Sequence, residues 1–305
     1  MTGPRRSLQG ALVVLVALAS ACGGSQPPTA LSGPMSPEEA QRTLRTYAEA
    51  QGIPPLAPTT PPPSSLADVV EVVREERLQD YDAARGIMAG IQGPEALTLR
   101  SLLELSQANA YLTAAAILRE IKERKVAEAQ VAAADQAEEL AREAREIDRV
   151  IQALRTLAEE PLAAGRRLYQ EALRQAPDDP GGSLAEAEFH RLRGQWRDFD
   201  MAIRRVEGAE PYALLVRYLR AMESSERFAN AARAAERLEA IVAERPGAIR
   251  ARASLVFVQD DIEATHRKLN ELRALRPEHF VVRLAAPLID AQYRATEELR
   301  QVRGP

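Results

Sequence analysis

The sequence predicts an all-α protein, a superhelical solenoid of helix pairs preceded by a long helix or coiled-coil segment. Three observations carry this. First, a helix-pair pattern recurs about every 34 residues over 146–277, and Pro177, Pro211, Pro246 and Pro277 close its units. Second, residues 95–160 contain no Gly or Pro and consist mainly of Ala, Glu, Leu, Arg and Gln, which are good helix formers. Third, no strand-like alternation and no Asn-Gly or Asp-Gly hairpin turn occurs, and aromatics make up only 4% of the chain against 28% charged residues.

In chain order, residues 1–21 read as a signal peptide. Arg5 and Arg6 form a positive start, and Ala11 to Ala21 are uncharged and mostly Leu, Val and Ala. That run is too short to span a bilayer. It ends in Ala19-Ser20-Ala21-Cys22, which resembles a bacterial lipobox. The resemblance implies a lipid on Cys22, the only cysteine of the chain, and hence a lipid-anchored protein of the cell envelope, at the outer membrane and facing the periplasm. A single cysteine also excludes an intramolecular disulfide. Without the signal peptide the chain holds 38 basic and 44 acidic residues, a balance that speaks against nucleic-acid binding.

Residues 22–65 read as a tether. Gly, Ser and Pro dominate 23–37. Ser36-Pro37-Glu38-Glu39 then opens a short helix, with Ser36 as cap and Pro37 at its first position. Six prolines over 53–65 make a semi-rigid linker. Residues 66–145 form a helical region. One helix or helix pair over 66–92 is stopped by Gly93-Pro94, and the uninterrupted stretch 95–160 follows. As a single helix it would reach ~100 Å, with a break expected near Asn109 or Thr113. It reads either as a projecting arm or as a helix lying against its own neighbours.

Residues 146–303 carry the repeats. With Pro180 as position 1, the unit 180–211 places Ala187 at 8, Gly194 at 15, Trp196 at 17, Phe199 at 20, Ile203 at 24, Val206 at 27 and Pro211 at 32. The units 146–177, 215–246 and 246–277 put Ala153, Met222 and Ala253 at 8, and Gly165, Ala234 and Thr265 at 20. The set resembles the tetratricopeptide repeat, in which two antiparallel helices meet through small residues at positions 8 and 20. The physics agrees: positions 20, 24 and 27 share one helical face, and the proline ends the second helix. Such pairs bury their apolar faces only by stacking. Residues 278–303 supply a further amphipathic helix to cap the stack.

No sequence motif for metal, nucleotide or nucleophilic chemistry is present. The expectation is a non-enzyme without catalytic residues, cofactors or metal. His190 and His266 read as packing or surface residues and Trp196 as core. Asp260-Asp261-Glu263 and Asp178-Asp179-Pro180 read as caps and turns.

The resemblance implies a scaffold for a cell-envelope assembly or export machine. A protein or peptide partner would lie in the concave groove against Glu188, Arg191, Leu219, Glu223, Arg250 and Phe257. The alternative is a regulator of a cell-wall synthase that uses the long helix as a reaching arm.

Overall fold

The structure, a computed structural model, describes residues 35–50, 60–206, 227–245, 247–256, 259 and 261–303. The expected signal peptide, Cys22 and most of the proline-rich linker lie outside the described residues. All regular structure among the described residues is helical.

Local chemistry sets several of the helix starts. In α1 (Pro37–Ala50) the Ser36 hydroxyl accepts from the Glu39 N–H at 3.2 Å. In α2 (Leu66–Glu75) Ser65 and Asp68 form a reciprocal capping box. A 3₁₀ turn (Leu78–Asp80) leads into α3 (Tyr81–Met88). Gly93, at φ 105°, turns the chain into α4 (Pro94–Ala129), with Pro94 at the first helical position.

The uninterrupted stretch does not form one rod. It folds back at residues 130–133, and α5 (Ala134–Gln175) returns antiparallel along α4. No break occurs at Asn109 or Thr113; both lie inside α4. The turn is built from Gln130, Val131, Ala132 and Ala133. None of these is a strong breaker, so it is the pairing of two apolar stripes that ends α4. Ala114, Ala115 and Leu118 meet Ile147, Val150, Ile151 and Leu154, with Leu44 and Tyr47 of α1 against the same cluster.

The unit 146–177 is likewise not a helix pair. The helix α5 runs through Pro161 and Gly165 as one element, across the expected boundary at 145–146. Gly165 is small for a different reason. A Cβ there would meet Leu105 Cδ2 of α4 at 2.7 Å, and the Gly165 carbonyl accepts from the Ser101 hydroxyl at 2.8 Å.

Beyond α5 the described residues form further, shorter helices. Asp179 caps α6 (Pro180–Leu192) by accepting from the N–H groups of Gly181 and Gly182. Gly194, at φ 67°, makes the turn to α7 (Trp196–Arg204). Leu184, Ala187, Phe199, Ala202, Ile203 and Val206 form one buried cluster between the two helices. Trp196 is half-buried at the start of α7 and is not part of that core. The second helix of the next unit is α8 (Arg227–Glu244). The last unit is α9 (Ile249–Val256) with α10 (Ile262–Leu275), capped by Asp261. The final helix α11 (Phe280–Arg303) covers α10, as expected of a cap, and also packs on α4.

The centre of the molecule is the first two-thirds of α4. Ala96, Ser101, Leu103, Leu105, Ser106, Ala108, Asn109 and Ala110 are all buried and cover most of the helix circumference. Arg100, Glu104, Gln107 and Tyr111, half-buried, make up the remaining face. The helices α5, α6, α2, α3 and α11 pack against it.

Two glycine substitutions separate close packing from helix propensity. In thermal or urea unfolding, Gly165→Ala should lower stability, because overpacking against fully buried Leu105 costs about 1–3 kcal/mol and exceeds the ~1 kcal/mol helix gain. Gly86→Ala in α3, where a Cβ meets nothing within 4 Å, should raise it by about 0.5–1 kcal/mol.

Candidate functional site

The repeat pattern places Glu188 and Arg191 on the inner face of α6 and Arg250 on that of α9. The structure brings these three together, but not around a groove. They are buried, at 1%, 5% and 3% exposure, and the space they face is filled by the chain itself. This corrects the expected groove: none of the three is open to a partner in this state. Leu219, Glu223 and Phe257 lie outside the described residues.

The filling groups are Asn109 of α4 and Glu76, the residue that ends α2. Glu76 sits in the left-handed region at φ 51°, a conformation that costs a non-glycine residue about 1 kcal/mol. Held there, its carboxylate accepts from Asn109 Nδ2 at 2.7 Å and lies 3.5 Å from Arg250 Nε. Asn109 Oδ1 accepts from Arg191, and Arg191 Nε donates to Glu188 at 2.8 Å. Arg250 also donates to Glu188. His279, just before α11, closes the cluster with Nε2 3.8 Å from Glu76. Beside it, Arg276 forks onto Glu75, with Nη2 at 2.6 and 2.7 Å from the two carboxylate oxygens.

Burial and charge decide the protonation of this cluster. Burial pushes the Glu188 carboxyl up, but the guanidiniums of Arg191 and Arg250 override it and hold it at about 2. For Glu76 burial wins, and its carboxyl lies above the ordinary range despite Arg250 and Asn109. Burial, with Arg276 nearby, lowers the His279 imidazole to about 4. Its Nδ1 accepts from the Val281 N–H at 3.3 Å, while buried Nε2 has no hydrogen-bond partner. His279 is therefore neutral at pH 7, and a proton there would add an unbalanced buried charge.

The surface carries two other features. An open groove between α5 and α6 is floored by Tyr169 and Phe189, whose ring centroids are 5.7 Å apart. Its charges are satisfied locally: Arg193 pairs with Glu159, His190 bonds Gln195, and Arg166 lies over Phe189. On the far side His266 stacks on Tyr293 and pairs with Asp290. Among the described residues no group of three or more His, Cys, Asp or Glu side chains is placed to hold a metal ion.

The second candidate region is the tip of the α4–α5 hairpin. Over 119–143 no described side chain is buried, so about 16 Å of helix pair extends past the last buried layer, Leu118 with Ala144. Lys122 pairs with Asp148 and Lys125 with Glu143 across the two helices. At the crown, Val131 is 88% exposed and Val126 is 41% exposed. The charged residues of 126–139 are Glu128, Asp135, Glu138 and Glu139, all acidic.

Comparison with protein-family models, with curated proteins and with solved structures finds no match for this chain. Residues and geometry alone define its class: an all-α protein with a self-filled inner face and a protruding helical hairpin. No described helix is long and apolar enough to cross a membrane.

The cluster gives acid sensitivity with a definite sign. The folded pKa of His279 lies below its unfolded value of 6.5. The unfolded chain therefore takes up the proton first, and stability falls as pH drops from 6.5 towards 4, by at most about 3 kcal/mol. Glu76 works in the opposite direction, since its raised pKa favours the folded state as it protonates. Glu188, held low, adds a further loss below pH 4.5. Urea midpoints measured from pH 8 to 4 should fall for the native chain, and His279→Gln should flatten the 6.5–4 part of that curve. An unchanged slope would mean that His279 is not the titrating group.

Proposed function

We propose that the protein is a non-catalytic interaction protein of the bacterial cell envelope, anchored by lipid on Cys22, that engages a partner protein through the tip of its α4–α5 hairpin. The single observation that carries this reading is the contrast between its two candidate surfaces. The groove residues Glu188, Arg191 and Arg250 are buried against Glu76 and Asn109, while the hairpin tip is exposed and crowned by Val131. Isolated exposed apolar residues are ordinary. A valine at the apex of a two-helix projection, held in register by cross-helix ion pairs, is a presented one.

The tetratricopeptide-like reading of 180–211 is supported by the single cluster that Ala187, Phe199, Ile203 and Val206 form. In this proposal the repeats serve as a cradle for α4 and not as a peptide receptor. That favours the arm, and with it the regulator of an envelope enzyme such as a cell-wall synthase, over the groove-binding scaffold. The lipobox-like Ala19-Ser20-Ala21-Cys22 supports the location, and the acidic tip favours a partner with a basic docking surface.

A photo-crosslinking residue placed at Val131 in living cells should give one dominant protein adduct. The same residue at Met201, exposed on α7, should not. Val131→Glu should abolish the adduct of a crosslinker at Val126 while leaving the melting temperature within about 2 °C, since an exposed substitution changes stability by under ~0.5 kcal/mol. Equal adducts at both sites, or none at the tip, would refute the arm. Cys22→Ala should move the exported chain from the membrane to the soluble fraction; retention would refute the anchor.

A further inference from the structure

The helices α8–α11 touch the rest of the protein through an unusual contact. Their own packing is apolar and self-contained. Leu238 and Val242 of α8 meet Ala251 and Leu255 of α9, and Ile249, Ala253, Val256, Leu269, Leu272, Val281 and Ala285 form a second cluster. Among the described residues, Ala110 and Leu78 of the N-terminal side join that second cluster, and Leu284 crosses the other way, onto the root of the hairpin. Each described ion pair across the contact joins a carboxylate of the N-terminal side to a guanidinium of the C-terminal side: Glu75 to Arg276, Glu76 to Arg250, and Glu188 to Arg250, with neutral His279 3.8 Å from Glu76.

Such a contact is specific in register and weak for its size. Buried ion pairs give back much of their Coulomb attraction as lost hydration. This one also leaves His279 Nε2 without a hydrogen-bond partner. Opening rehydrates three carboxylates and two guanidiniums and separates few apolar groups. Each side keeps its own core, which is the condition for opening as a unit below the global unfolding free energy.

We propose that α8–α11 is a docked cover that opens as one unit from α2, α4 and α6, and that its opening uncovers the Glu75–Glu76–Glu188 face. The closed state keeps that face, and Arg191 beside it, from any partner. The open state presents three carboxylates shaped to receive arginines, in the places where Arg250 and Arg276 sit when closed. The device stands on the interface alone and holds whether or not the hairpin tip is a docking element.

Native-state hydrogen exchange on the full chain at low urea tests this without any substitution. Amides of α10 and α11 should share one isotherm with a lower opening free energy than those of the α4–α5 core around Leu105 and Ala158. Glu75→Arg, which sets a like charge against Arg276, should then speed exchange in α10 and α11 about fivefold and leave the α4–α5 core unchanged. The swapped pair Glu75→Arg with Arg276→Glu should restore the native rates. A common isotherm for all four helices would overturn the proposal. So would a variant that accelerates both halves equally, or one that accelerates neither.

Discussion

The structure depends on one constraint: the first two-thirds of α4 is packed by five helices over most of its circumference. Polar groups on its buried faces are out of reach of water, so each must find a partner. The polar residues of α4 do so one element at a time. Thr98 donates to Asp179 at the start of α6. Ser101 donates to the carbonyl of Gly165 in α5. Ser106 bonds the Tyr81 hydroxyl of α3 at 2.8 Å. Asn109 joins Glu76 at the end of α2 to Arg191 of α6. Interspersed Ala and Leu let the neighbours approach, and the polar groups fix where along α4 each one stops. Apolar packing alone would tolerate sliding by a turn; hydrogen bonds from four residues to different neighbours do not.

This explains which parts of the fold were legible in the sequence. The helix starts were, because caps are local. Ser36, Ser65, Gly93-Pro94, Asp179-Pro180 and Asp261 act through atoms within four residues of themselves. The pairing of α6 with α7 was also legible, because Ala187, Gly194, Phe199 and Ile203 encode a contact between adjacent helices. The hairpin turn at 130–133 was not, since no residue there opposes a helix and only the partner stripe on α5 ends α4. Gly165 shows the boundary between the two cases. Its small size correctly marks a close helix approach, but the approaching group is Leu105, sixty residues upstream, and not the preceding helix of a repeat.

The candidate site divides in the same way. The tetratricopeptide resemblance implied that Glu188, Arg191 and Arg250 share one face, and the structure brings them together. The pattern could not say what covers that face, because Glu76 and Asn109 belong to no repeat. Asn109 did carry a signal. The one asparagine within 95–160, a stretch of strong helix formers, is either a helix break or a buried hydrogen-bonding centre, and it proved to be the latter. Glu76 carried none, since nothing in Arg-Glu-Glu-Arg distinguishes a left-handed, buried carboxylate from a solvated one.

Filling the inner face has a consequence for the rest of the molecule. The buried polar cluster at Asn109 lies about 30 Å along α4 from the turn at Val131, and the intervening helix is bonded to α5 by the apolar cluster of Ala114, Leu118, Ile147 and Ile151. Leu284 of α11 packs against that same cluster and also against the core of the C-terminal helices. The root of the hairpin and the C-terminal helices therefore share a side chain. Removing Leu284 from the α4–α5 cluster exposes part of the layer on which the projecting tip rests, while the cross-helix pair Lys125–Glu143, which lies beyond that layer, is untouched. The two halves are thus coupled at the base of the arm, where a single leucine links the ion-paired face to the apolar stem.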